Sequence, residues 1–227
     1  MHFPNKFLEK KLFRQGYKFI YAVDEVGVGP LAGPVTACAV LITPEFLSHQ
    51  NRKFHGIRDS KLLSPKQREK FAEELKKDKN IKFAVAYAHV KTIDKLNIYQ
   101  AARKAMAKAI AKLKAQSEKR KTTIQNSKQN KMIVLVDGRA TIDGLDIEQM
   151  PIVKGDRKVF SIACASIIAK VARDKVMNKY AKKYPQYGFE KHKGYGTKLH
   201  LARLASHGPC EIHRKSFEPV AKLVTSN

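Results

Sequence analysis

The sequence predicts an α/β fold, and three observations carry that prediction. An apolar, β-branched and aromatic run over 17–23 stops at two adjacent carboxylates, Asp24 and Glu25, and a Gly- and Pro-rich stretch then leads to a second apolar run over 35–42. A third run, 132–136, is continuously apolar and ends at Asp137-Gly138, the pattern of a parallel strand covered on both faces. Segments with helical apolar periodicity lie between and after these runs, the longest from 158 to about 182.

Taken in order, residues 1–16 place Phe3, Phe7, Leu8, Leu12 and Phe13 around Glu9 and Lys10, which predicts a short amphipathic helix docked on the body as an N-terminal extension. The runs at 17–23 and 35–42 are joined by a short Gly/Pro loop, so they are expected to pair antiparallel, as a hairpin at the edge of the sheet. Ser64, Pro65 and Gln67 spell a capping box with proline at the first helical position, opening a helix that runs to about Lys77. The stretch 81–90 alternates and is rich in strand formers, which makes it a third strand. Residues 92–115 read as one helix, with Ile93, Leu96, Ala101, Ala105, Ile110 and Leu113 near one face. Over 116–131 the periodicity is lost, and a flexible basic insertion is expected. Ile152-Val153-Lys154-Gly155-Asp156 repeats the strand-to-acid arrangement in shorter form, so three strand ends should each deliver an acidic group. On the long helix from 158, Ile162, Ala165, Ile168, Ala169, Ala172 and Val176 take one side, with Lys170, Arg173, Lys175 and Lys179 on the others. Pro185 and Gly188 close it, and an aromatic and cationic loop over 187–197 precedes a helix over 197–206. The expected organisation is therefore an extension (1–16), a main domain (17–182) and a helical C-terminal region (183–227).

Lys and Arg number 45 against 20 Asp and Glu, a formal charge of +25, and so strong an excess calls for a polyanionic partner, of which nucleic acid is the commonest. No apolar run reaches the ~20 residues of a membrane span, and the first six residues lack the apolar region of a secretory signal, so a cytoplasmic protein is expected. Cys38, Cys164 and Cys210 are odd in number and widely separated, which favours free thiols over disulfides.

Asp24, Glu25, Asp137 and Asp156 sit at the ends of apolar strands in a chain where acids are scarce. Like charges brought together raise one another's pKa, and two divalent cations would remove that penalty. Oxygen ligands with no His or Cys beside them select Mg²⁺ or Mn²⁺ over zinc. Two such ions are the device for attack of water on a phosphodiester.

At these residues the chain resembles the bacterial ribonuclease HII family. The resemblance rests on Val-Asp-Glu-Val-Gly-x-Gly-Pro-Leu-Ala-Gly-Pro-Val from Val23, then Asp-Ser-Lys-x-Leu-Ser from Asp59, Val-Asp-Gly from Val136, Lys-Gly-Asp from Lys154, Ala-Ser-Ile-Ile-Ala-Lys-Val-x-Arg-Asp from Ala165, Tyr-Pro-x-Tyr-Gly-Phe-x-x-His-Lys-Gly-Tyr-Gly-Thr from Tyr184, and His-Arg-x-Ser-Phe-x-Pro-Val from His213. The ordered set spans about residues 18–222. It implies an RNase H-like fold, a five-stranded mixed sheet flanked by helices, with a helical C-terminal region that grips a duplex. It also implies an endonuclease that cuts 5′ to ribonucleotides in RNA/DNA hybrids and at single ribonucleotides in duplex DNA, leaving a 3′-hydroxyl and a 5′-phosphate.

By the same resemblance, Asp24, Glu25, Asp137 and Asp156 are the metal-binding catalytic set, and Asp174 is a rival expected to be structural because it lies on a helix. Gly27-Val28-Gly29 stands where the family carries Gly-Arg-Gly, the element that reads the ribose 2′-hydroxyl. Val28 keeps the amide and loses the guanidinium, leaving Arg139 as a neighbouring cation to compensate. Tyr195 matches the tyrosine that packs on the sugar beside the ribonucleotide, and Lys61, Ser166 and Lys170 match positions near substrate phosphates. His192 and the other histidines lack metal-site spacing and are expected at the surface or in hydrogen bonds. Two rival readings are another RNase H-like nuclease, such as a resolvase, and a basic binder without catalysis. The binder has no use for four carboxylates facing phosphates. A monomer bound to RNA/DNA hybrid or ribonucleotide-containing duplex is expected, with two Mg²⁺ or Mn²⁺ ions as cofactors.

Overall fold

The apolar runs assemble into one mixed sheet in a computed structural model that describes residues 3–48, 54–119 and 131–225. Its strands are β1 (Phe19–Val26), β2 (Val35–Ile42), β3 (Ile81–Ala88), β4 (Met132–Asp137) and β5 (Glu148–Ile152), in the order β3-β2-β1-β4-β5. β1 pairs antiparallel with β2 and β2 with β3, whereas β1–β4 and β4–β5 are parallel. The α/β class and the five-stranded mixed sheet are as expected. The hairpin is not at the edge, however: β1 lies at the centre with β2 beside it. Every residue of β2 is buried, so both of its faces are covered, and an uninterrupted apolar run is what such a strand requires.

The helices in chain order are α1 (Phe7–Arg14), α2 (Pro44–Ser48), α3 (Pro65–Lys77), α4 (Val90–Leu96), α5 (Ile98–Lys119), α6 (Phe160–Lys183), α7 (Phe189–His192), α8 (Lys198–His207) and α9 (Val220–Thr225). Strand alternation divides the core. Tyr21 and Val23 of β1 and Ala37, Ala39 and Leu41 of β2 face α5, while Cys38, Val40 and Ile42 face α3 and α6. Ser64 caps α3 with both halves of the capping box, as its sequence dictates. The expected single helix over 92–115 is two helices, broken at Asn97, which takes φ +69°. Asparagine tolerates that left-handed backbone better than most residues. Residues 116–119 of the expected insertion continue α5, Lys131 leads into β4 with its carbonyl accepting from Lys18 N (2.8 Å), and 120–130 lie outside the described residues.

In α1, Leu12 is buried and Leu8 and Phe13 pack beside it, but Phe3 and Phe7 are exposed and Glu9 is buried. Glu9 Oε1 accepts a hydrogen bond from Ser161 N (2.9 Å) in the first turn of α6, satisfying a donor that the helix itself leaves free. Arg173, expected on an outer side of α6, is fully buried. Cys38, Cys164 and Cys210 are free thiols. Among the described residues no helix is long and apolar enough to cross a membrane.

Candidate active site

Pairing and alternation bring the acids together. Val23 pairs with Val136 on the neighbouring parallel strand, so Asp24 and Asp137 are the next residues along β1 and β4. Asp24 is opposite Cys38, on the α6 side of the sheet, and Ser166 of α6 bonds its carboxylate. Glu25 follows in the same strand and points the other way, with its N–H donating to Asp24 Oδ1 (2.7 Å). The carboxylates thus lie inside β1, not after it. Asp156 is not at a strand end either: β5 stops at Ile152, and Asp156 sits in a 3₁₀ turn, Gly155–Arg157. That turn is fastened by Asp137, whose Oδ1 accepts from Gly155 N (2.6 Å) and Asp156 N (3.4 Å). A side chain at Gly155 would place Cβ 2.6 Å from Ile162 Cδ1 and 3.1 Å from Asp137 Oδ1, so glycine permits this closeness.

Burial is the first cause of raised pKa in all four acids, and their neighbours add to it. Asp24 is pushed well up, next by Glu25 and Asp137. Glu25 is raised to about 7 and Asp156 to about 6, in each case by burial and then by Asp137. For Asp137 the hydrogen bonds from Gly155 and Asp156 oppose the rise. The Lys61 cation acts against the rise at Glu25, Asp137 and Asp156. Among the described residues no three His, Cys, Asp or Glu side chains form a ready-made metal cage. The donor set nevertheless suits hard divalent ions: four carboxylates that strain against one another, with oxygen alone on offer.

The 59–61 segment, missed in part by sequence reasoning, organises one flank. Asp59 is buried; its Oδ1 accepts from Lys61 N (2.9 Å), and its Oδ2 takes both Arg157 Nε and Nη2 at 3.0 Å. One carboxylate therefore ties Lys61 to the turn carrying Asp156. The signal was present in Asp-Ser-Lys, of which only the lysine was singled out. Ser60 Oγ lies 3.0 Å from Ser166 Oγ, continuing the link to Asp24. Lys170 and Asp174 pair on α6 (2.8 Å), and Arg68 comes within 3.9 Å of Asp174. Asp174 is thus engaged by two cations.

The other flank is the loop 27–34 with the C-terminal region. Val28 packs against the apolar cluster under α5, together with Phe217, and Gly29 is exposed. Arg139 is exposed after β4. Leu31 N donates to Gly194 O (2.8 Å), which sets the loop beside Tyr195, and the Arg173 guanidinium lies 5.8 Å from the Tyr195 ring centre. Behind Tyr195 three of the histidines, His192, His200 and His213, form a buried bonded cluster, while His55, His89 and His207 are exposed. His192 Nδ1 accepts from Gly194 N (3.2 Å) and its Nε2 faces Tyr187 O (2.9 Å). His200 Nδ1 faces Tyr195 O (2.9 Å), and its Nε2 faces His213 Nε2 (3.1 Å). His213 Nδ1 accepts from Cys210 N (3.0 Å).

These acceptors leave one consistent proton arrangement: Nε2–H on His192 and His213, Nδ1–H on His200. A further proton on His200 or His213 would set donor against donor, and burial holds both rings down to about pKa 4. Each folded value lies below the ordinary ~6.5, so the unfolded chain takes up the protons first. Their contribution to stability is complete above pH 6.5 and drains away as pH falls toward 4. Nitrogen-15 NMR of the imidazoles at pH 5.5 should find His200 and His213 neutral, in those tautomers. Titration of either near pH 6.5 would refute the arrangement.

Residues 22–220 match the family model described as Ribonuclease HII. Over 210 residues the chain is 48% identical to the ribonuclease HII of Caldicellulosiruptor saccharolyticus, a match that covers 92% of each sequence. Among solved structures, ribonuclease H2 from Pyrococcus horikoshii superposes with a TM-score of 0.67 at 22% identity, over 92% of this chain and 98% of that one. Bst-RNase HIII in complex with Mn²⁺ gives 0.65 at 14% identity, over 94% of this chain and 71% of that one.

Proposed function

The chain belongs to the ribonuclease HII family and is an endoribonuclease; on that premise we propose that it cuts the phosphodiester 5′ to ribonucleotides in RNA/DNA hybrids and at single ribonucleotides in duplex DNA. The products are a 3′-hydroxyl and a 5′-phosphate. The observation that carries this reading is the gathering of four carboxylates, all raised by burial, with Asp24, Glu25 and Asp156 raised further by other members of the set, in a chain of formal charge +25. Asp24, Glu25, Asp137 and Asp156 hold two divalent ions, Mg²⁺ or Mn²⁺, and the Mn²⁺ complex of the related Bst-RNase HIII supports a divalent cofactor. When bound, such ions neutralise the cluster and supply activation of water and stabilisation of the leaving oxygen.

The chain's own groups set the stage. Asp137 holds the turn that presents Asp156, and Ser166 orients Asp24. Lys61 and Lys170 meet the substrate phosphates. The amides of Gly27-Val28-Gly29 read the 2′-hydroxyl, and Tyr195 packs on the adjoining sugar. Residues 17–182 carry the chemistry and 183–227 grip the duplex, in a monomer working in the cytoplasm. With Mg²⁺ or Mn²⁺, a DNA duplex carrying one ribonucleotide should be nicked 5′ to it, and an all-DNA duplex should remain whole. Binding without nicking would leave a binder, and cutting of branched all-DNA would favour a resolvase.

A further inference from the structure

Two arginines beneath the loop 27–34 are fully buried and have no ion-pair partner among the described residues. Burying a guanidinium is unfavourable unless its donors are used. Here they go to main-chain carbonyls. Arg173 donates from Nε to Pro34 O (3.0 Å), from Nη1 to Lys193 O (3.0 Å) and from Nη2 to Ala32 O (3.2 Å). Arg214 donates from Nε to Gly33 O (3.1 Å), from Nη1 to Val28 O (2.8 Å), and from Nη2 to Gly27 O (2.5 Å) and Gly33 O (3.0 Å).

The consequence lies in the peptide planes. In a trans peptide the C=O of one residue and the N–H of the next point in opposite directions. Arg214 draws the carbonyls of Gly27 and Val28 toward the interior, so the N–H groups of Val28 and Gly29 are turned the other way. Neither N–H has an acceptor among the described residues, and Gly29 is exposed. Gly27 takes φ +97°, and a Cβ there would sit 2.2 Å from Arg173 Nε, so the loop rests directly on the guanidinium. The same Arg173 reaches Lys193 O and lies under Tyr195, which places loop and tyrosine on one support.

We infer that Arg214, with Arg173, is a positioning residue for sugar recognition: it fixes two outward amides in register with Tyr195, so that ribose selection depends on a guanidinium that never touches the substrate. This rests on reading Gly27–Gly29 as the contact to the 2′-hydroxyl. Lysine keeps the charge and cannot span two peptide planes, so Arg214→Lys isolates the fork.

The test uses the full chain with Mn²⁺. It measures KM for a duplex with one ribonucleotide and, under the same conditions, the inhibition constant of the identical all-DNA duplex. In Arg214→Lys the KM should rise roughly tenfold or more, the loss of a hydroxyl contact, with the all-DNA inhibition constant unchanged. General damage to the fold would weaken both alike, and that result, or wild-type values for both, overturns the inference. Should Arg214→Lys fail to fold, Arg173→Lys takes its place: a rise in KM alone supports the inference, and any other pattern overturns it. Wild-type enzyme that leaves the embedded ribonucleotide uncut refutes the reading of the site itself, and the inference with it.

Discussion

Asp24→Asn should abolish nicking and, in the metal-free protein, raise the melting temperature. Asp24 is 5% exposed, and burial, followed by Glu25 and Asp137, pushes its pKa well up. For an acid whose folded pKa exceeds its unfolded one, stability is full below the unfolded value and is lost as pH rises through the folded value. At pH 8 the unfolded chain carries this carboxylate ionised in water, whereas the folded site disfavours its charge, so the group opposes folding, and asparagine removes that opposition while keeping nearly the same shape. Each kcal/mol relieved is worth about 2–4 °C in a chain of this size. Removing one preorganised electrostatic group costs roughly 10²–10³ in rate, and a residue acting as part of a unit can cost more, so kcat/KM should fall about 10³-fold or further. Melts in chelator at pH 8 and pH 5 provide the control: the gain should shrink at the lower pH, where wild-type Asp24 and its neighbours take up protons. A variant that loses both activity and stability would make Asp24 a structural residue.

The strands and the acids were legible because local chemistry dictates them. Continuous apolar runs become strands buried on both faces, and the acids that interrupt them stand out wherever the fold puts them. The sequence misplaced what depends on partners far along the chain. The central position of β1 follows from a parallel partner over 100 residues downstream, β4, which a hairpin-based reading does not see. Arg173 looked like one more cation on a lysine-rich helix, yet its hydrogen-bond partners Ala32 and Pro34 are 141 and 139 residues away. Glu9 looked like the polar side of an amphipathic helix, and its partner is Ser161 of α6. Val28 is the converse case. Its departure from the family's Gly-Arg-Gly was visible at once, but only the packing explains what the side chain does instead, which is to join the apolar cluster below.

Gly194→Ala and Gly29→Ala should fail in opposite ways, and the contrast tests where the substrate lies. Gly194 takes φ +86°, and an added Cβ would stand 2.5 Å from Ala32 O and 3.2 Å from Ala32 C. That carbonyl cannot withdraw easily, because it also accepts from Arg173 Nη2, and Gly194 O is itself bonded to Leu31 N. Backbone strain plus a backbone clash is worth roughly 2–4 kcal/mol, a loss of about 5–15 °C in melting temperature at 2–4 °C per kcal/mol. Beyond Gly29 itself and its two chain neighbours, no atom lies within 4 Å of the added methyl, and the φ of Gly29 lies outside the left-handed range. Its stability should therefore stay within about 0.5 kcal/mol of wild type. A methyl on that exposed backbone would hold a ribose away from the amides, and displacement on the order of 1 Å costs about 100-fold in rate. Thermal melts and nicking rates of the two variants, read together, separate a loop that must fold from a loop that must be approached. If Gly29→Ala nicks the ribonucleotide as wild type does, the sugar is read elsewhere, and the assignment of Gly27–Gly29 to the 2′-hydroxyl falls.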